Sequence, residues 1–241
     1  MLADRLLPRA VTLALLWPEL QGPRTGMLLF GDDEPHTLGA APLLPATADW
    51  DVVATWGLVP APGDPQGLPP GVAARAAEAG EACVLQHRDG RTSVLVPDVM
   101  PFGSDLEPGV LVRWRSHDAA GVRAPVGSPG EARLALHEAM THAIDELTAL
   151  DVARERPELR EAFLDLTGTP DSRTQALTYA LDDRRAELLV RAFRLLEIVR
   201  LASQDEGAAV TATTMGARGA VLLDLARAAR TAVGVATAQR T

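Results

Sequence analysis

The sequence predicts an α+β protein: a small mixed or antiparallel sheet domain of four to five strands with one or two helices, followed by an antiparallel four-helix bundle. Three observations carry this. Most prolines and all four tryptophans (Trp17, Trp50, Trp56 and Trp114) precede residue 120, after which Ala, Leu, Arg and Glu dominate. The β-type runs of the first part are short and divided by Gly and Pro, without the regular alternation of a βαβ repeat. The apolar residues of the second part recur at three- and four-residue intervals over long stretches with brief breaks.

The first part, residues 1–120, opens with an apolar segment in which Leu7, Ala10, Val11 and Ala14 share one helical face. It reads as a docked amphipathic helix, because no convincing cleavage site follows that would make it a signal peptide. Strands are expected over 27–30, 51–59, 82–87, 92–96 and 110–115. The clearest local signal is Asp89-Gly90, which supplies the left-handed backbone of a tight hairpin between the third and fourth runs. A short helix is expected between Pro69-Pro70 and Gly80. Residues 59–71 form a proline-stiffened loop.

The segment 118–131 is the expected boundary. Ser128 is placed to cap a helix, with Glu131 three residues on to close a capping box. The helical domain, 128–241, is read as helices at 129–150, 152–166, 171–205 and 209–236. Asp171 or Ser172 caps the third and Thr211 the fourth, and the short breaks favour antiparallel packing. The third helix carries a wide apolar arc that includes Leu177, Leu181, Leu188, Leu189, Ala192, Leu195 and Val199. The last carries a narrow stripe of mostly small residues: Met215, Gly219, Leu222, Ala226, Ala229 and Val233. Small side chains let helix axes approach closely, within one chain or across a dimer seam.

The composition excludes several chemistries. The 241 residues contain no lysine and no asparagine, so all 23 basic side chains are arginine. These losses fit the codon bias of a high-G+C bacterial genome. They exclude Schiff-base and pyridoxal-phosphate chemistry, the P-loop and the protein-kinase lysine, all of which need an amine. A net charge of −9 argues against nucleic-acid and anionic-membrane binding. No apolar stretch reaches the ~18 residues of a membrane span. Cys83, the single cysteine, lies in an apolar run and reads as a buried small hydrophobe. A cytoplasmic location is the default that follows.

The candidate sites are few. Residues 31–36 place Asp32, Asp33, Glu34 and His36 in one loop after an apparent strand, a set suited to a divalent metal or to acid–base work. In 134–146, His137 and His142 stand five apart, which is wrong for a zincin pair. Glu138, His142 and Asp145 do share a helical face, but the buried stripe of Leu136, Met140, Ala143 and Leu147 puts them on the solvated side. Asp182, Asp183, Arg184 and Arg185 begin the centre of the third helix, with Glu187 and Arg191, and Glu197 and Arg200, spaced as helix-supporting pairs. Arg113 and Arg115 fall on one side of a strand and Trp114 on the other. None of the six serines lies in a nucleophile elbow, and no dinucleotide fingerprint follows a strand.

The reading is an interaction, regulatory or structural protein without catalytic activity. It self-associates or meets a protein partner through the helical domain and needs no cofactor. The alternative is a metal-assisted hydrolase or small-ligand enzyme using the 32–36 loop, joined by His87 or His117 from neighbouring strands.

Overall fold

The computed structural model describes residues 7–19, 37–38, 50–104, 106–149, 181–204 and 212–240. The chain divides into two compact units, residues 1–125 together with 237–241, and residues 126–236. The architecture is α+β, as the composition shift predicts.

The first unit is built on a sheet. In chain order its elements are helix α1 (Arg9–Leu16) with a 3-10 turn (Trp17–Glu19), β1 (Thr37–Leu38), β2 (Val52–Leu58), helix α2 (Pro70–Ala79), β3 (Ala82–His87), β4 (Thr92–Gly103), β5 (Pro108–Asp118) and β6 (Gln239–Arg240). The strand order is β1-β5-β4-β3-β2-β6. β1 runs parallel to β5, and every other pairing is antiparallel. The two additions to the expected four to five strands are two-residue edge strands, too short to leave a periodic signal. The expected strand at 27–30 lies outside the described residues.

β4 and β5 pair much further than alternation suggests, from Ser93↔Asp118 to Gly103↔Pro108. Pro97 and Pro101 interrupt the sequence pattern, yet both sit inside β4. They lie four apart, on one edge of the strand, and β3 pairs with β4 only from Thr92 to Leu95. Proline is tolerated in a strand where its missing N–H has no neighbour to bond.

One sheet face carries a hydrophobic core cluster. Trp56, Leu58, Val84, Val94 and Val96 pack with Val72 and Ala76 of α2 and with Leu68, Ala119 and Val122. α2 forms as its sequence dictates: Pro70 occupies the first turn, and Gly80 ends the helix at φ +72°. The other face receives α1. This helix is not amphipathic in the fold, because every residue from Ala10 to Leu16 is buried. Leu13, Leu15 and Leu16 make it apolar all round, the pattern of an interior helix. Pro8 supplies no side-chain cap, so the Glu81 carboxylate does so from a distance, accepting the Ala10 N–H at 2.6 Å. Thr55 Oγ1 donates to Ala14 O at 2.9 Å. Gly57 lets the helix approach the sheet, since a Cβ there would lie 2.9 Å from Val11 Cα. The same Gly57 N–H donates to Thr237 Oγ1 at 2.9 Å, next to the strand β6.

The described helices of the second unit are α3 (Pro129–Ala149), α4 (Asp183–Gln204) and α5 (Ala212–Thr237), whose last residue belongs to the first unit. The expected helix at 152–166 lies outside the described residues, as do the caps Asp171, Ser172 and Thr211. The capping box forms in full: Ser128 N donates to Glu131 Oε2 at 2.7 Å, and Glu131 N to Ser128 Oγ at 3.2 Å. α3 buries Leu136 and Ala143 and leaves Glu138, His142 and Asp145 exposed. α4 does not run unbroken from 171 to 205. Leu181 and Asp182 are non-helical, and Asp182 Oδ1 accepts the Arg185 N–H at 3.0 Å. An aspartate that satisfies an orphan N–H is favoured as a cap over the helix interior, so the acidic pair starts a helix here. Leu188, Leu189, Ala192, Leu195 and Val199 form the buried arc of α4. In α5 the small-residue stripe is buried from Leu222 onward, while Met215 is exposed.

Candidate functional site

The β3–β4 hairpin closes through a three-residue loop. His87 N donates to Arg91 O and Gly90 N to His87 O, and Gly90 alone is left-handed, at φ +87°. This is a type I turn followed by a left-handed residue rather than a two-residue turn with both centres left-handed. Asp89 Oδ1 accepts the Arg91 N–H at 3.0 Å and fixes the turn.

That loop sets one wall of an open recess of about 480 Å³ lined by Asp51, His87, Arg88, Asp89 and Arg91. Arg88 Nε meets Asp51 at 2.7 Å, and Arg91 Nε meets Asp89 at 2.6 Å. His87 forms the buried part, only 4% exposed. Its Nε2 lies 2.9 Å from Ser93 Oγ, and its ring makes a T-shaped contact with Trp50 at 5.4 Å between centroids. Trp50 in turn stacks on Trp17 at 6.4 Å. Burial, and secondarily the Arg91 charge, holds the His87 imidazole below its ordinary pKa, against the opposing pull of Asp89, Asp118 and Asp51. The ring is therefore neutral at neutral pH.

Register explains the convergence. Thr55 opposes Leu85, Leu85 opposes Ser93 and Ser93 opposes Asp118, so these four side chains form one row across the sheet. Side chains two residues apart share a face, which brings His87 beside Ser93. His117 opposes Val94 and belongs to the opposite face. The two strand histidines are thus not brought together. Burial lowers the pKa of His117 as well, with Arg75 and Arg115 adding to the effect.

Asp32, Asp33, Glu34 and His36 lie outside the described residues. Among the described residues no three His, Cys, Asp or Glu side chains are grouped to hold a metal ion. Cys83 is buried, and burial drives its thiol pKa upward, which suits an inert core residue. Arg113 and Arg115 are exposed, with Arg115 Nη2 2.7 Å from Asp98, and Trp114 between them is half-buried. Arg185 is half-buried and its Nε donates to Ala236 O at 2.9 Å, so it holds a helix-end carbonyl. The pair Glu197–Arg200 forms, with Nε to Oε2 at 2.8 Å.

The second unit has a different kind of surface. Leu134 and Ile144 of α3 are 58% and 57% exposed, and Leu223 and Met215 of α5 are 55% and 46% exposed. A recess of about 300 Å³ between α3 and α5 is walled largely by Ala132, Ala135, Ala228 and Ala232.

The two-part organisation is matched by two family models. The N-terminal domain of the Rv1486c-like proteins matches residues 6–128, and their C-terminal domain matches residues 130–234. The chain belongs to the Rv1486c-like family. The matched Rv1486c-like domains adjoin at residue 129, where the capping box opens α3. No curated protein and no solved structure matches the chain. No described helix is long and apolar enough to cross a membrane.

Proposed function

We propose that this Rv1486c-like protein is a cytoplasmic interaction protein that works by self-association through its helical unit and performs no chemistry there. The supporting observation is the exposure of four large apolar side chains on two helices of that unit, Leu134 and Ile144 on α3 and Met215 and Leu223 on α5. Single exposed leucines are ordinary, but four large exposed apolar side chains on two helices of one unit are side chains that burial in a partner would stabilise. Apolar area removed from water contributes ~25 cal/mol per Å², which is the term that would favour pairing through these side chains.

Sedimentation velocity over a range of concentrations tests this. A concentration-dependent dimer that Leu134→Glu with Ile144→Glu returns to monomer is the expected result. A monomer at every concentration overturns the reading, as does a dimer that the double variant leaves intact.

A further inference from the structure

We infer that the recess at the β3–β4 hairpin is a binding site for a small oxyanion, a phosphate- or carboxylate-bearing molecule, held by the guanidinium groups of Arg88 and Arg91 and by the ring of His87. This inference is independent of the self-association reading.

The donor inventory points to an anion. Each guanidinium carries five N–H donors in a fixed fork, and here each spends its Nε on a neighbouring carboxylate, Arg88 on Asp51 and Arg91 on Asp89. The terminal amino groups of both have no partner among the described residues. Planar forks with free ends are suited to bidentate capture of carboxylate or phosphate. The two ion pairs are strongly exposed, with side-chain accessibilities of 71% and 62% for one pair and 67% and 53% for the other. Exposed pairs of this kind contribute little to stability, so reorienting the arginines toward a ligand costs little. A cation finds no comparable set, since no metal-ligand group occurs among the described residues and two arginines face the same space.

His87 supplies what a flexible surface arginine pair lacks. It is almost fully buried yet lines the recess, and its ring is held by Ser93 at Nε2 and by a T-shaped contact with Trp50. Nδ1 has no partner among the described residues. In the tautomer in which the Ser93 hydroxyl donates to Nε2, the neutral ring carries its proton on Nδ1 and can offer it to an anion. The charges that face the ring are Arg91, Asp89, Asp118 and Asp51. An oxyanion bound beside Arg91 adds negative charge next to the imidazole and raises its pKa toward the ordinary value. Trp50, in contact with the ring, reports the event optically.

The experiment is an NMR titration of the His87 ring, read together with tryptophan fluorescence. Inorganic phosphate or acetate is added to the full chain at constant ionic strength, with chloride as control. The expected result is a saturable shift of the His87 resonances and an upward move of its titration midpoint. Affinity should fall at least ~10-fold, about 1.4 kcal/mol, in the double variant Arg88→Gln with Arg91→Gln. The anion that saturates identifies the ligand class. Far-UV circular dichroism confirms that the double variant keeps its fold. A response no different from chloride overturns the inference, and so does an equal response in the folded double variant.

Discussion

The sheet unit and the helical unit are specified in different ways, and their glycines show how. In the sheet unit, Gly57 exists because α1 lies against it, leaving no room for a Cβ beside Val11. In α5, Gly216 has nothing within 4 Å of where its Cβ would be. Hydrogen bonds divide the same way. The sheet unit is fixed by long-range side-chain contacts to backbone groups, such as Glu81 to Ala10 and Thr55 to Ala14. Most described side-chain bonds of the helical unit are local, such as Thr141 to His137 and Thr231 to Arg227. Point contacts that must all be met define the first unit, whereas repeated pattern defines the second.

One substitution made in both units gives the sharpest break. Gly57→Ala forces Val11 and the α1 backbone away from β2 and should destabilise the sheet unit by about 3 kcal/mol, the upper range for overpacking. All four tryptophans lie in that unit, so urea unfolding followed by tryptophan fluorescence isolates the effect. Gly216→Ala should act in the opposite direction. Replacing an exposed helical glycine whose Cβ meets nothing stabilises the helix by roughly 0.5–1 kcal/mol. Far-UV circular dichroism during the same unfolding reads it. Loss of stability from Gly216→Ala, or none from Gly57→Ala, would dissolve the contrast.

A smaller effect separates the units by pH. His87 and His117 both belong to the sheet unit, and burial lowers the pKa of each below the ordinary 6.5. The unfolded chain therefore takes up protons that the folded unit resists. Stability from this source is full above pH 6.5 and is lost as the pH falls below it toward the depressed folded values. The urea midpoint read by tryptophan fluorescence should drop between pH 7.5 and pH 5.5, and His87→Gln should flatten part of that slope. A midpoint that rises on acidification over this interval contradicts the sign.

Much of this fold was legible from residues alone, and the failures have physical causes. β2 and β3, α2 and the Ser128–Glu131 box follow from alternation, from proline and glycine punctuation and from cap chemistry, all of which act locally. The extension of β4 past Val96 was hidden by Pro97 and Pro101, which are acceptable only because β3 has ended beside them. Charge pairing at helical spacing does not distinguish a helix interior from an N-terminus, so nothing local marks Asp182 as a cap. The shared face of Leu7, Ala10, Val11 and Ala14 suggests a one-sided α1, but Leu13, Leu15 and Leu16 leave no polar face.

The candidate site was harder to read. His87 could be named as a strand histidine, but pairing it with Ser93 needs the hairpin register, and Asp51 and Trp50 arrive from the segment that leads into β2. The Asp89-Gly90 turn was the available clue. It fixes the register that sets Leu85 against Ser93, and from there the shared face follows.

The short strand β6 has a consequence for how the protein is made. Gly57 and Thr237, which hydrogen-bond in the sheet unit, are 180 residues apart. At ~5–20 residues per second a ribosome needs roughly 10–40 s to cover that distance. Throughout that interval β2 waits at the rim of a nascent sheet with its outer backbone groups unmatched by β6 while the helical unit is being synthesised. The first unit to emerge is thus the last to be completed, and a chaperone or a slowed codon has its longest window at this bare edge.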